Sequence, residues 1–84
     1  MKIRLRYFAR VREKLGVAEE WVTLPDDVET VDDVRLFLMK RGGVWSEVLS
    51  AGQLKMACQL QMAQPDTKVT EGCEIAFFPP VTGG

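Results

Sequence analysis

Thr30-Val31-Asp32-Asp33-Val34-Arg35-Leu36-Phe37-Leu38-Met39-Lys40-Arg41-Gly42-Gly43 is the stretch that sets the architecture. Thr30 offers a hydroxyl where a helix needs an N-cap, and Asp33 supplies an acid three positions on, a variant of the capping box. Acids in the first turn suit the positive end of the helix dipole, and Lys40 and Arg41 suit its negative end. Val31, Val34, Phe37, Leu38 and Arg41 trace one side, and the first four are apolar. Gly42-Gly43 ends the run. One long amphipathic helix in mid-chain needs a sheet on which to bury that side.

The flanks supply the sheet. Upstream, Lys2 to Phe8 alternates, with Ile3, Leu5 and Tyr7 on one face and Arg4 and Arg6 on the other. Ala9 to Leu15 carries Val11 and Leu15 at helical spacing with Gly16 as a stop. Trp21 to Leu24 reads as a second strand ended by Pro25-Asp26-Asp27, and pairs with the first as a hairpin. Downstream, Trp45, Val48 and Leu49 repeat the helical pattern in a short piece closed by Gly52. Lys55 to Met62 reads as one strand, with Cys58, Leu60 and Met62 on one parity and Ala57, Gln59 and Gln61 on the other. Pro65-Asp66 and Thr70-Glu71-Gly72 are turns, with a short strand around Lys68-Val69 between them. Glu74 to Phe78 is the last strand, and Pro79-Pro80 halts pairing because proline has no N–H. The class is α+β: a mixed sheet of four to five strands with one main helix on one face. The first and last strands lie side by side at its centre, parallel, because the helix provides the crossover.

The totals narrow the function. Eighty-four residues make one domain, and an apolar fraction of 46% suffices for one core. The net charge of −1 gives no general pull toward nucleic acid or anionic membrane. Six of the eleven basic residues lie in the first fourteen positions, but there they alternate with apolar residues as a strand's solvated face does. Histidine is absent, which removes the commonest general base and metal ligand. Cys58 and Cys73 have no zinc-site spacing and read as small buried hydrophobes. No stretch approaches the ~20 apolar residues of a membrane span, and no signal-peptide core opens the chain, so a cytoplasmic protein is expected. No metal site is expected.

Residues 1–80 are read as the folded domain and 81–84 as a flexible tail, Val81-Thr82-Gly83-Gly84. Glycine makes up about 7% of average sequence, so a terminal pair is rare by chance. Two residues without Cβ can thread a slot too narrow for side chains and present an unshielded carboxylate. A frayed terminus is the alternative that the pair alone leaves open.

Three stretches together carry a resemblance: Tyr7-Phe8-Ala9-Arg10-Val11-Arg12-Glu13, Thr30-Val31-Asp32-Asp33-Val34, and Glu71-Gly72-Cys73-Glu74-Ile75-Ala76-Phe77-Phe78-Pro79-Pro80-Val81-Thr82-Gly83-Gly84. Over essentially its whole length the chain resembles the small subunits of molybdopterin synthase, sulfur carriers of ubiquitin-like β-grasp fold. It departs at Cys58-Gln59, where the family often has Val-Asn, and at Gly72-Cys73, where Gly-Asp is usual.

The resemblance implies a carrier that does no catalysis alone. An activating enzyme would consume ATP to adenylate the Gly84 carboxylate, and sulfur from a persulfide protein would convert it to a thiocarboxylate. No cofactor would be bound. The charged carrier would then dock on the synthase large subunit, in a heterotetramer of two small and two large subunits. There it would give its sulfur to cyclic pyranopterin monophosphate. Gly84 would be the reacting residue and Gly83 would give clearance. Parity adds a docking face: Cys73, Ile75 and Phe77 share one side of the last strand, and Ala76 and Phe78 the other. With the odd set on the core, Phe78 lies on the open sheet face beside the tail, with Arg4, Arg6 and Gln59 as a polar rim. It would meet the partner together with Pro79, Pro80, Val81 and Thr82. Neither nucleic acid nor membrane is an expected partner. The competing readings are a sulfur carrier for thiazole or cysteine synthesis, a ubiquitin-like modifier of other proteins, and a plain interaction domain.

Overall fold

The computed structural model describes residues 1–80, and every count below concerns them. The elements are β1 (Lys2–Tyr7), α1 (Ala9–Leu15), β2 (Glu19–Thr23), α2 (Val31–Met39), α3 (Val44–Leu49), β3 (Lys55–Cys58), β4 (Gln61–Met62) and β5 (Glu74–Phe78). The five strands form one mixed sheet in the order β2-β1-β5-β3-β4. β1 pairs antiparallel with β2, with Arg4 opposite Trp21 and Arg6 opposite Glu19. It pairs parallel with β5, with Leu5 opposite Ile75 and Tyr7 opposite Phe77. The sheet thus has the expected first and last strands together near its middle, joined through the helical layer.

α2 begins as its sequence dictates. Thr30 accepts from the Asp33 N–H at 3.1 Å, and the Asp33 carboxylate accepts from the Thr30 N–H at 3.2 Å. Both halves of the capping box are present, so two otherwise orphaned helix-end donors are satisfied. The helix ends two residues earlier than Arg41 suggests, at Met39, with Lys40 as the C-cap. Gly43 then takes φ 55°, ψ −128°, which is closed to residues with a Cβ, and α3 starts there. Arg35 ties the two helices by donating to the Leu49 carbonyl at 3.0 Å.

One side of the sheet meets the helices. Ile3, Leu5 and Tyr7 of β1, Ile75 and Phe77 of β5, and Val31, Val34 and Leu38 of α2 are buried together with Val11 and Leu49. Each fully buried aliphatic or aromatic side chain contributes about 1.5–3 kcal/mol of burial energy. The core therefore rests on the period-2 and period-3.6 patterns meeting face to face. Cys73 is buried and Cys58 partly so, both as free thiols. Desolvation, and then the neighbouring Cys73 thiol, raise the Cys58 pKa, which favours the protonated thiol.

Two sequence expectations are corrected. Lys55 to Met62 is not one strand: the chain reverses at Gln59 and Leu60, with φ of 52° and 67°. Two consecutive left-handed residues define a tight hairpin turn, usually built on Asn-Gly. The alternating parity therefore breaks at the turn, and Cys58, Leu60 and Met62 do not share a face. Tertiary hydrogen bonds impose the reversal: the Gln59 N–H donates to the Glu74 carbonyl at 2.9 Å, and the Glu74 N–H donates to the Gln59 side-chain oxygen at 2.7 Å. Lys68-Val69 adds no strand either. Lys68 makes a single bridge to Thr30, and Val69 donates to the Glu29 carbonyl at 3.0 Å, so this segment braces the entry to α2.

Candidate functional site

β5 ends at Phe78 and delivers the chain through Pro79-Pro80, both partly buried, toward the Gly-Gly end. Val81, Thr82, Gly83 and Gly84, the tail residues singled out in the sequence, lie outside the described residues. The structure thus bears on what surrounds the tail's point of departure.

On the open side of the sheet, register fixes which side chains emerge. Ile75 and Phe77 point to the core, so Glu74, Ala76 and Phe78 point away from it. Phe78 is half-buried. Its cross-strand neighbour is Lys55, and Ala76 lies opposite Ala57. Met62 lies opposite Ala57 in turn. Phe8 follows β1 and is exposed, with the Arg6 guanidinium 5.0 Å from its ring centre. At the hairpin tip Leu60 is 88% exposed, and Met62 is 65% exposed. An apolar strip, Phe8, Phe78, Ala76, Ala57 and Met62, therefore runs obliquely over the open face from the end at which the tail departs. Leu60 projects from the hairpin tip near the opposite end of the sheet, next to Gln59 and Glu74. Apolar side chains this exposed and this contiguous mark an interaction surface.

Sequence reading found Phe78 in this strip by parity but missed Phe8, Leu60 and Met62. Phe8 read as the end of a strand. Leu60 and Met62 were assigned to a single strand because Gln-Leu carries no turn signal. The usable hint was the departure from strand chemistry at Gln59, an amide beside a large aliphatic residue.

The proposed polar rim is only partly free. Arg4 and Arg6 do emerge on the open face. Arg4 is hydrogen-bonded to Glu19 and lies 3.8 Å from Glu74, and Arg6 lies 3.8 Å from Glu19. The Arg4 hydrogen bond, and then its charge, lower the Glu19 pKa. These groups form a mutually neutralised net toward the β2 side. Gln59 is placed in the turn instead of on the Arg4–Arg6 face, and its side-chain oxygen is occupied by Glu74.

On the helix side, Pro79 and Pro80 wall a cavity of about 300 Å³ with Arg10, Val11 and Lys14 of α1 and Val48 of α3. The tail's root is therefore flanked by two different surfaces, an apolar strip and a partly cationic groove. Among the described residues no group of three or more His, Cys, Asp or Glu is gathered to hold a metal. No helix among them is long and apolar enough to cross a membrane.

A five-stranded mixed sheet that cradles one main helix and sends its last strand into a Gly-Gly tail defines the ubiquitin-like β-grasp class. Within it the chain belongs to the ThiS family, whose profile matches residues 5–84. It is 41% identical over 78 residues to the molybdopterin synthase sulfur carrier subunit of Haemophilus influenzae, covering 93% of this chain and 94% of that one. To the Escherichia coli protein of the same name it is 37% identical over 82 residues, covering 98% and 99%. In structure it is similar to a chain from the complex of subunits 1 and 2 of the molybdopterin-converting factor of Helicobacter pylori. That match has a TM-score of 0.68 at 20% identity and covers 100% of both chains, a likeness of fold.

Proposed function

We propose that this chain is the sulfur carrier of molybdenum cofactor biosynthesis. The observation that carries the reading is the identity of 41% and 37%, over nearly the full length, to two proteins named molybdopterin synthase sulfur carrier subunit. The apolar strip at the root of the Gly-Gly tail supports it.

The chemistry follows from the group carried. A carboxylate is a poor electrophile, so an activating enzyme transfers AMP from ATP to the Gly84 carboxylate and releases pyrophosphate. A persulfide sulfur then attacks the acyl carbon and AMP leaves. Reductive cleavage of the resulting acyl disulfide by a thiol leaves the thiocarboxylate. This group keeps much of its charge on sulfur and is a nucleophile near neutral pH, as thiolates are. Docked on the synthase large subunit, it passes sulfur to cyclic pyranopterin monophosphate, and the carrier returns with a carboxylate. The dithiolene needs two sulfurs, so two charged carriers act per product. Val81 to Gly84 can span at most about 13 Å, which sets how far the reacting atom lies from the domain.

Intact mass after incubation with ATP, a sulfur source and the cognate activating enzyme tests the reading. The expected result is a gain equal to exchanging one oxygen for sulfur, mapped to Gly84 and abolished by deleting it. No gain from an enzyme proven active on another carrier would overturn it. Covalent conjugates to other proteins would assign the activated glycine to protein modification instead.

A further inference from the structure

The groove beside Pro79-Pro80 has a composition that the apolar strip does not explain. Arg10 and Lys14 stand on α1 at i, i+4 spacing, so both project from one side of the helix. Both are exposed, and among the described residues neither forms an ion pair. The cations of the open face contrast with them, since Arg4 and Arg6 are matched by Glu19 and Glu74. Between the two cations and the tail root lies an apolar floor of Val11, Val48, Leu54, Pro79 and Pro80. The one acid on the groove is Glu47 of α3, and Gln53 completes its polar lining. Two cations against one anion leave the groove electropositive on a chain whose net charge is −1.

We infer that this groove is a second docking surface, which takes an acidic and partly apolar segment of the synthase large subunit at the mouth of the slot that admits the tail. The inference rests on the proposed carrier function. A slot that holds Gly84 must open within about 13 Å of Pro80, because four extended residues reach no further. Its rim therefore faces whatever flanks Pro79-Pro80. On the sheet side that is the apolar strip. On the helix side it is Arg10 and Lys14, whose complement is a carboxylate-bearing rim. Charges placed this way set orientation and encounter rate more than they add raw affinity. The strip would hold the domain, and the groove would fix its rotation so that the tail points into the slot.

The test is binding of the full-length chain to the purified large subunit of the same organism at low and high salt. Arg10→Glu combined with Lys14→Glu should weaken binding about tenfold at low salt and flatten its salt dependence. Glu47→Lys should act in the opposite direction and tighten binding at low salt. Lys40→Glu, in a separate hollow beside β2, is the control and should leave binding unchanged. All four positions are exposed, and unchanged melting temperatures would show the fold intact. Binding by the wild-type chain that is indifferent to the Arg10/Lys14 reversal, or weakened by Glu47→Lys, overturns this inference alone. Failure of the wild-type chain both to bind and to gain sulfur overturns the carrier reading with it.

Discussion

Arg41 grips both carboxylate oxygens of Glu20, at 2.9 and 3.0 Å, across twenty-one positions of sequence. Its guanidinium also lies 4.3 Å from the centre of the Trp45 ring. Glu20 in turn accepts from the Tyr7 hydroxyl at 3.0 Å, and Tyr7 meets Trp45 edge to face at 5.5 Å. Four residues from β1, β2, the α2–α3 connection and α3 thus close one ring of contacts. The ring holds the edge hairpin to the helical layer without a disulfide. Burial above all, and then the Glu20 charge, push the Tyr7 phenol far above its ordinary range, so it serves as a permanent donor.

Removing Arg41 should cost more than an ordinary surface ion pair. The fork is bidentate and stacked, and loss of it leaves Glu20 partly buried without its main partner. Arg41→Ala is expected to lower stability by about 1–2 kcal/mol, seen as a fall of several degrees in melting temperature. Arg41→Lys should recover only part of it. A double-mutant cycle with Glu20→Gln measures the coupling, and a coupling near zero would show the pair to be incidental.

The same contact predicts an acid dependence. The Arg41 hydrogen bond, foremost, and the Tyr7 hydrogen bond lower the Glu20 pKa below its ordinary 4.5, against the desolvation that raises it. A carboxyl whose pKa is depressed on folding contributes its full stability above the unfolded value. That contribution fades as pH falls from about 4.5 through the lower folded value. Melting temperature followed downward from pH 6 should drop less in Glu20→Gln than in the wild type. Parallel curves would remove Glu20 from the account.

The capping box gives a separate measure for α2. Thr30→Ala removes the hydroxyl that accepts from Asp33 N–H and should cost about 1 kcal/mol. Thr30→Ser keeps the oxygen and should be nearly silent. Chemical denaturation distinguishes them, and an equal loss in both would point to the lost methyl group instead of the cap.

The fold was legible where local and tertiary demands agree. Thr30 and Asp33 announced a helix start that the structure realises bond for bond, and the odd parity of Ile3, Leu5 and Tyr7 announced the buried face of β1. What escaped was set by distant partners. Gln59 and Leu60 have side chains that disfavour left-handed backbone, and they adopt it because Glu74, fifteen residues from Gln59, anchors the turn. The end of α2 escaped more narrowly, since Lys40, Arg41 and Gly42 close it with tightened i−3 bonds to Phe37, Leu38 and Met39 instead of a further α-helical turn. The apolar strip followed these misses: Phe78 was found by parity, and Leu60 and Met62 were hidden by the unseen turn.

That turn sets stability against binding. Left-handed backbone costs a residue with a Cβ about 1 kcal/mol, and Asn and Gly tolerate it best. Leu60→Asn should therefore raise the melting temperature slightly while removing the most exposed apolar side chain of the open face, at the hairpin tip beyond the strip. Affinity for the synthase large subunit should fall in the same protein. A more stable variant that binds as well as wild type would show that Leu60 contributes nothing to docking.

Phe77 and Phe78 are adjacent and should behave oppositely, because one residue of β5 turns its side chain to the other face of the sheet. Phe77 is fully buried and stacks with Tyr7 at a centroid distance of 6.0 Å. Phe77→Ala should cost about 3–5 kcal/mol, a large share of a small domain's stability. Phe78 is half-buried on the open face beside Lys55 and Ala76. Phe78→Ala should leave the fold nearly intact and weaken association with the large subunit by tenfold or more, as loss of an aromatic anchor does. Melting curves and binding measured on both variants separate the two roles. A fall in melting temperature for Phe78→Ala as large as that for Phe77→Ala would place Phe78 in the core and move the docking surface elsewhere on the sheet.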